Sequence, residues 1–89
     1  MLSQKDFDKA VEDVKKLKTQ PGNDDLLEIY ALFKQASVGD CNTDKPGMLD
    51  FKGKAKWEAW KNKSGMDSNA AKEAYVKKVQ SLIESIGLN

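Results

Sequence analysis

The sequence predicts an all-α fold, a four-helix bundle with a long crossover between helices two and three. Apolar residues recur at helical spacing in four separate segments, and no stretch of strand length alternates with period two. The twelve residues from Gly39 to Asp50, which include Asn42, Thr43, Asp44, Pro46 and Gly47, carry no helical periodicity. That exceeds the roughly two to eight residues usual between neighbouring helices. The third helix therefore need not lie antiparallel beside the second.

From Ser3, apolar residues at Phe7, Ala10, Val11, Val14 and Leu17 describe an amphipathic helix, and Ser3 with Asp6 resembles a capping box. Phe7 and Val11 are most simply core residues, although a ligand-facing role stays open, and Lys15 reads as a surface lysine. Pro21 and Gly22 break the helix, leaving Asn23 or Asp24 to cap the next one. The second helix spans about Asp24 to Val38, with Leu26, Ile29, Tyr30, Phe33 and Ala36 on one stripe. In the crossover, Met48, Leu49 and Phe51 are expected to pin the loop to the core. The third helix runs from about Asp50 to Lys63, where Ser64 and Gly65 end it. Of its two tryptophans, Trp60 is the expected core anchor, with Trp57 nearer the edge that carries Lys56. Asp67 caps the fourth helix, which runs to about Ile86 and shows Ala71, Tyr75, Val79, Leu82, Ile83 and Ile86 on one face.

Eighty-nine residues suffice for one domain, 1–89, with a modest core. Hollowing so small a core would remove the contacts that stabilise it, so a ligand belongs in a surface groove. Fifteen basic against fourteen acidic side chains leave a net charge of +1, unlike the strongly basic surface that nucleic acid selects. There is no histidine and one cysteine, Cys41. Ser-His and Cys-His nucleophile pairs are thereby excluded, as are zinc sites built on His and Cys, and Cys41 reads as incidental. Lacking an apolar leader and any run of bilayer-spanning length, the chain is expected to be a cytoplasmic monomer.

Two stretches mix aromatic and cationic residues. Lys52, Lys54 and Lys56 alternate with Gly53 and Ala55 ahead of Trp57 and Trp60, and helical geometry puts Lys52 and Lys56 on one face. Lysine ammonium groups suit phosphate, but a solvated cationic face over a buried tryptophan explains the same pattern. On the second helix, Leu27, Tyr30 and Lys34 fall at i, i+3 and i+7. They form one edge that passes from apolar through aromatic to cationic over about 10 Å. A ligand with a hydrocarbon end and a phosphate end matches that order, while Tyr30 alone could equally be a boundary aromatic with its hydroxyl in water.

The blocks Tyr30-x3-Lys34-Gln35-Ala36-x2-Gly39-Asp40 and Lys45-Pro46-Gly47-Met48-Leu49-Asp50-Phe51-Lys52-Gly53-Lys54-Ala55-Lys56-Trp57-x-Ala59-Trp60 resemble the acyl-CoA-binding protein family, in order and separation, across essentially the whole chain. The resemblance implies a carrier and buffer of medium- and long-chain fatty acyl-CoA that does no chemistry on its ligand and needs no cofactor or metal. It also implies transient contact with membranes and with acyl-CoA-using enzymes. By position, Tyr30, Lys34 and Lys56 match the family residues around the ribose 3′-phosphate and adenine. Lys15, Phe33, Lys52 and Tyr75 match others around the CoA headgroup, and Phe7, Val11 and Leu27 the acyl side. Phe33 stands where the family commonly has tyrosine, Val11 where a smaller alanine is frequent, and residues 64–69 differ from the commoner sequences. Two other classes compete: a bundle that docks an acidic protein through its Lys and Trp surface, and a thioesterase or acyltransferase, which the absence of histidine disfavours.

Overall fold

A computed structural model describes residues 3–89, with four helices in chain order: α1 (Gln4–Val14), α2 (Asn23–Ser37), α3 (Phe51–Lys61) and α4 (Ser68–Ile86). The helix backbones pack as a row, α1 on α4, α4 on α2 and α2 on α3. Principal extents of 37 × 29 × 15 Å make the molecule flat. Among the described residues α1 and α3 share no such packing, so the two outer helices flank an open face over α2 and α4.

The expected core forms along this row. Phe7 and Ala10 of α1 meet Ile29, Leu32 and Ala36 of α2 and Ala71, Tyr75, Val76, Val79 and Leu82 of α4, all buried. Trp60 anchors α3 as expected, at 4% exposed. Two partly exposed ion pairs lace the row from outside: Lys78 Nζ to Asp25 Oδ1 at 2.6 Å between α4 and α2, and Lys63 Nζ to Glu28 Oε2 at 2.9 Å near the end of α3.

Helix starts follow local side-chain chemistry, with one correction. The capping box is present: the Ser3 hydroxyl accepts from the Asp6 N–H while Asp6 accepts from the Ser3 N–H. Asp50 caps α3 by accepting from the Gly53 N–H, and Asp67 caps α4. The cap of α2, however, is Gly22 and not Asn23 or Asp24; both lie inside the helix, and no side chain bonds its first turn. Asp24 and Asp25 instead place negative charge against the dipole of that turn.

Two ends differ from expectation, the first because a tertiary contact intervenes. Helix α1 stops at Val14, and Leu17 leaves it to form an antiparallel bridge with Leu88. Lys18 N–H donates to Gly87 O at 2.9 Å, and Asn89 N–H to Lys16 O at 2.8 Å. Gly87, at φ 91, lets the chain turn from α4 into this bridge. Helix α3 stops at Lys61, followed by tight turns through Ser64 and Gly65.

The crossover is held differently from the expectation. Met48, Leu49 and Phe51 are 82%, 88% and 74% exposed, so they do not pin it to the core. The tryptophans hold it through polar bonds: Trp60 Nε1–H donates to Gly39 O at 2.8 Å and Trp57 Nε1–H to Thr43 O at 2.9 Å. Asp40 Oδ1 accepts from Gln35 Nε2 and from the Gly65 N–H, each at 2.8 Å. The Gly65 bond first, and then the Gln35 bond, hold the Asp40 carboxyl below its ordinary value of 3.8. A lowered folded value contributes stability that is present above the unfolded value and is lost as pH falls through the folded one. Urea midpoints should therefore fall less on acidification below pH 3.8 for Asp40→Asn than for the parent chain. Equal acid losses in the two proteins would remove Asp40 from the account.

Candidate functional site

The open face holds a groove of about 870 Å³. Val11 and Val14 of α1, with Lys15 at its C-terminal cap, form one wall, and Phe51, Lys52, Ala55 and Lys56 of α3 form the other. Leu26, Leu27, Ile29, Tyr30 and Phe33 of α2 run between them, with Tyr75 of α4 beneath. Each contribution follows from helical phase. Leu26 and Tyr30 are one turn apart, as are Val11 and Val14, and Lys52, Ala55 and Lys56 share a face on which Ala55 leaves room between two long side chains.

The floor is aromatic. The Phe7 ring stacks on Phe33 with centroids 6.2 Å apart and planes at 15°, and tilts against Tyr75 at 5.2 Å; Phe33 and Tyr75 lie 6.2 Å apart. Phe7 is 5% and Tyr75 2% exposed, whereas Phe33 is 37% exposed. Burial pushes the Tyr75 hydroxyl pKa up, so this hydroxyl stays neutral and can hydrogen-bond a bound group without adding charge. Phe7 lies beneath the groove and does not line it.

The cations stand on the rim. Lys56 Nζ lies 5.4 Å from the Tyr30 ring centroid, and Lys34 Nζ 5.0 Å from that of Trp60. Lys34 thus sits one turn beyond Tyr30 and outside the groove lining itself. Lys15, on the opposite wall, is within 3.9 Å of Glu12 Oε1. Lys34, Lys52 and Lys56 have no carboxylate partner among the described residues, unlike Lys9, Lys45, Lys63, Lys77 and Lys78. Three unpaired ammonium groups around an apolar trough offer their charge to an incoming anion.

Of the ten residues singled out from the sequence, the groove brings together Val11, Lys15, Leu27, Tyr30, Phe33, Lys52, Lys56 and Tyr75. It also recruits Val14, Asn23, Leu26, Ile29, Phe51 and Ala55, none of which the sequence marks as a site residue. Val14, Leu26 and Ile29 carry only the periodicity of a core stripe, and a core stripe and a groove wall look alike in sequence. Phe51 belongs to the crossover block, whose apolar residues are expected in the core.

A second hollow of about 620 Å³ lies between α1 and α4, lined by Asp6, Lys9, Asp13, Glu73, Lys77 and Gln80 among others. Its charges answer one another, Lys9 to Asp13 at 2.8 Å and Lys77 to Glu73 at 3.6 Å. Among the described residues no three His, Cys, Asp or Glu side chains gather as a metal ion would require.

A family model described as "Acyl CoA binding protein" matches residues 4–79. The acyl-CoA-binding protein homolog 1 of Caenorhabditis elegans is 58% identical over 81 residues, covering 91% of this chain and 94% of that protein. Among solved structures, acyl-CoA-binding protein 2 of Oryza sativa superposes with a TM-score of 0.88 at 38% identity, covering 92% of this chain and 91% of the other. The ACBP of Moniliophthora perniciosa also gives 0.88, at 43% identity, covering 94% of this chain and 83% of the other.

Proposed function

Because the chain belongs to the acyl-CoA-binding protein family, we propose that it acts as one domain that binds medium- and long-chain fatty acyl-CoA in the groove between α1 and α3. It carries and buffers that thioester and releases it unchanged to membranes and acyl-CoA-using enzymes. The observation that carries this reading is the pairing of an apolar trough with three lysines, Lys34, Lys52 and Lys56, that have no carboxylate partner among the described residues. Lys34, Lys56 and the Tyr30 ring take the 3′-phosphate and adenine, Phe33 and Tyr75 stack or hydrogen-bond beside them, and Lys15 and Lys52 close on the remaining phosphates. Val11, Leu27, Val14 and Leu26 cover the acyl chain, with Phe7 supporting Phe33 and Tyr75 from below.

The energetics suit a ligand with two unlike ends. Burying about fourteen methylenes at about 0.8 kcal/mol each offers roughly 11 kcal/mol before ordering costs. An adenine stacked on an aromatic face adds about 1–3 kcal/mol, by analogy with bases on single-strand binders. Neither half suffices alone, so the protein discriminates against free fatty acid and against free CoA.

A surface that docks an acidic protein through its lysines has no reason to require one particular phosphate. Hexadecanoyl-CoA lacking the 3′-phosphate is therefore expected to bind about tenfold or more weakly than the complete thioester, the weight of one lost charge-assisted contact. Equal affinity would dismiss the assignment of Lys34 and Lys56. Recovery of intact thioester after prolonged incubation is the companion result, and hydrolysis in step with protein concentration would contradict the carrier reading.

A further inference from the structure

The edge of α2 that passes from cationic to apolar does not end apolar. Asn23, Leu27, Tyr30 and Lys34 fall at i, i+4, i+7 and i+11, one continuous edge of about 16 Å at about 1.5 Å per residue. Asn23, Leu27 and Tyr30 all line the groove, and Lys34 stands just outside its lining. Past Leu26 and Leu27, toward the start of α2, the next groove residue on this helix is therefore an amide and not a further apolar group.

That amide is available to a ligand. Asn23 has the sequence signature of a helix cap, yet the cap is Gly22 and no side chain bonds the first turn of α2. Asn23 is also exposed, so it serves neither the helix end nor the core. Its side chain brings two N–H donors and one carbonyl acceptor to the end of an otherwise aliphatic trough.

In the carrier reading, on which this inference rests, the headgroup lies at the Lys34 and Lys56 end. The acyl chain then runs toward Asn23, and its last carbon comes to the amide. A methyl group there strips water from the amide and returns no hydrogen bond. A hydroxyl on the same carbon exchanges its own water for the amide and leaves both groups bonded. A carboxylate is the poorer match. Asp24 and Asp25 follow Asn23 in the first turn, and Lys15, across the groove, already has Glu12 Oε1 within 3.9 Å.

We infer that Asn23 is a polar stop at the ω end of the acyl trough, and that the groove accepts ω-hydroxyacyl-CoA as readily as the plain thioester.

The test is calorimetric titration of the parent chain, Asn23→Leu and Asn23→Ser with hexadecanoyl-CoA and with ω-hydroxyhexadecanoyl-CoA. The parent chain should bind the two within about threefold of each other. Leucine is close to asparagine in size and the position is exposed, so Asn23→Leu keeps its fold while making the far end of the trough apolar. In that variant the hydroxylated thioester should fall about tenfold or more behind the plain one. Asn23→Ser, which restores a hydrogen-bonding group, should return the ratio toward that of the parent. A parent chain that binds hexadecanoyl-CoA but takes the hydroxylated thioester about tenfold more weakly would overturn the polar stop and leave the carrier reading intact. A ratio unchanged in Asn23→Leu would do the same, because the hydroxyl would then be held by water or by a lysine. So would a ratio in Asn23→Ser equal to that of Asn23→Leu. Binding of neither thioester by the parent chain would remove the carrier reading, and the polar stop with it.

Discussion

Trp60→Ala is expected to destabilise the chain by about 3–5 kcal/mol, the usual cost of emptying a large aromatic site in a core. Trp60 is 4% exposed, carries the Lys34 ammonium 5.0 Å from its ring, and donates its indole N–H to Gly39 O at 2.8 Å. Its loss thus opens a cavity at the α2–α3 contact and releases the first residue of the crossover together. For a domain of this size, total stability is roughly 4–13 kcal/mol at about 0.05–0.15 kcal/mol per residue. The melting temperature should drop by at least about 12 °C, at about 4–8 °C per kcal/mol. Trp60→Phe keeps most of the volume and loses the indole bond, so it should cost about 1 kcal/mol, the net value of one hydrogen bond. Thermal melts of the two variants separate packing from crossover tethering. A Trp60→Ala protein that melts with the parent chain would mean that α3 is not anchored through this residue.

The second large effect falls on binding. Lys34→Ala and Lys56→Ala should each weaken hexadecanoyl-CoA binding by about tenfold to a hundredfold, since a hydrogen bond to a charged group contributes about 1.5–3 kcal/mol. Both ammonium groups sit over rings without a carboxylate partner among the described residues, and removing the lysine from the Trp60 face costs stability of only about 0.5–1 kcal/mol. Affinity should therefore move much further than the urea midpoint. Titration of the two single variants and the double variant measures their coupling: if both lysines meet one phosphate, the losses will not add. Unchanged affinity in either single variant would remove that lysine from the site.

Helical phase makes the floor and rim of the groove legible in the sequence. Leu27, Tyr30 and Lys34 on one edge, and Lys52 with Lys56 on one face, are consequences of 3.6 residues per turn and require no tertiary information. Phase does not say how far apart two helices stand. That α1 and α3 leave a gap, so that Val14 and Leu26 face a groove and not each other, depends on α4 and α2 lying between them. Leu17 illustrates the same limit. Its spacing continues the α1 stripe, yet the bridge to Leu88, near the other end of the chain, takes it out of the helix. Met48, Leu49 and Phe51 are the clearest departure. Apolarity predicts burial only on average, and the indole bonds to Gly39 and Thr43 tether the crossover without them.

Calorimetric titration with hexadecanoyl-CoA, free CoA and free hexadecanoate tests the central claim most directly, because the groove is read as one site for a ligand with two unlike ends. Tight one-to-one binding of the thioester, with each half alone weaker by orders of magnitude, is the result this reading predicts. Heat from none of the three, or equal binding of thioester and free fatty acid, would contradict it, leaving the trough without the headgroup partner that its lysines are arranged to meet.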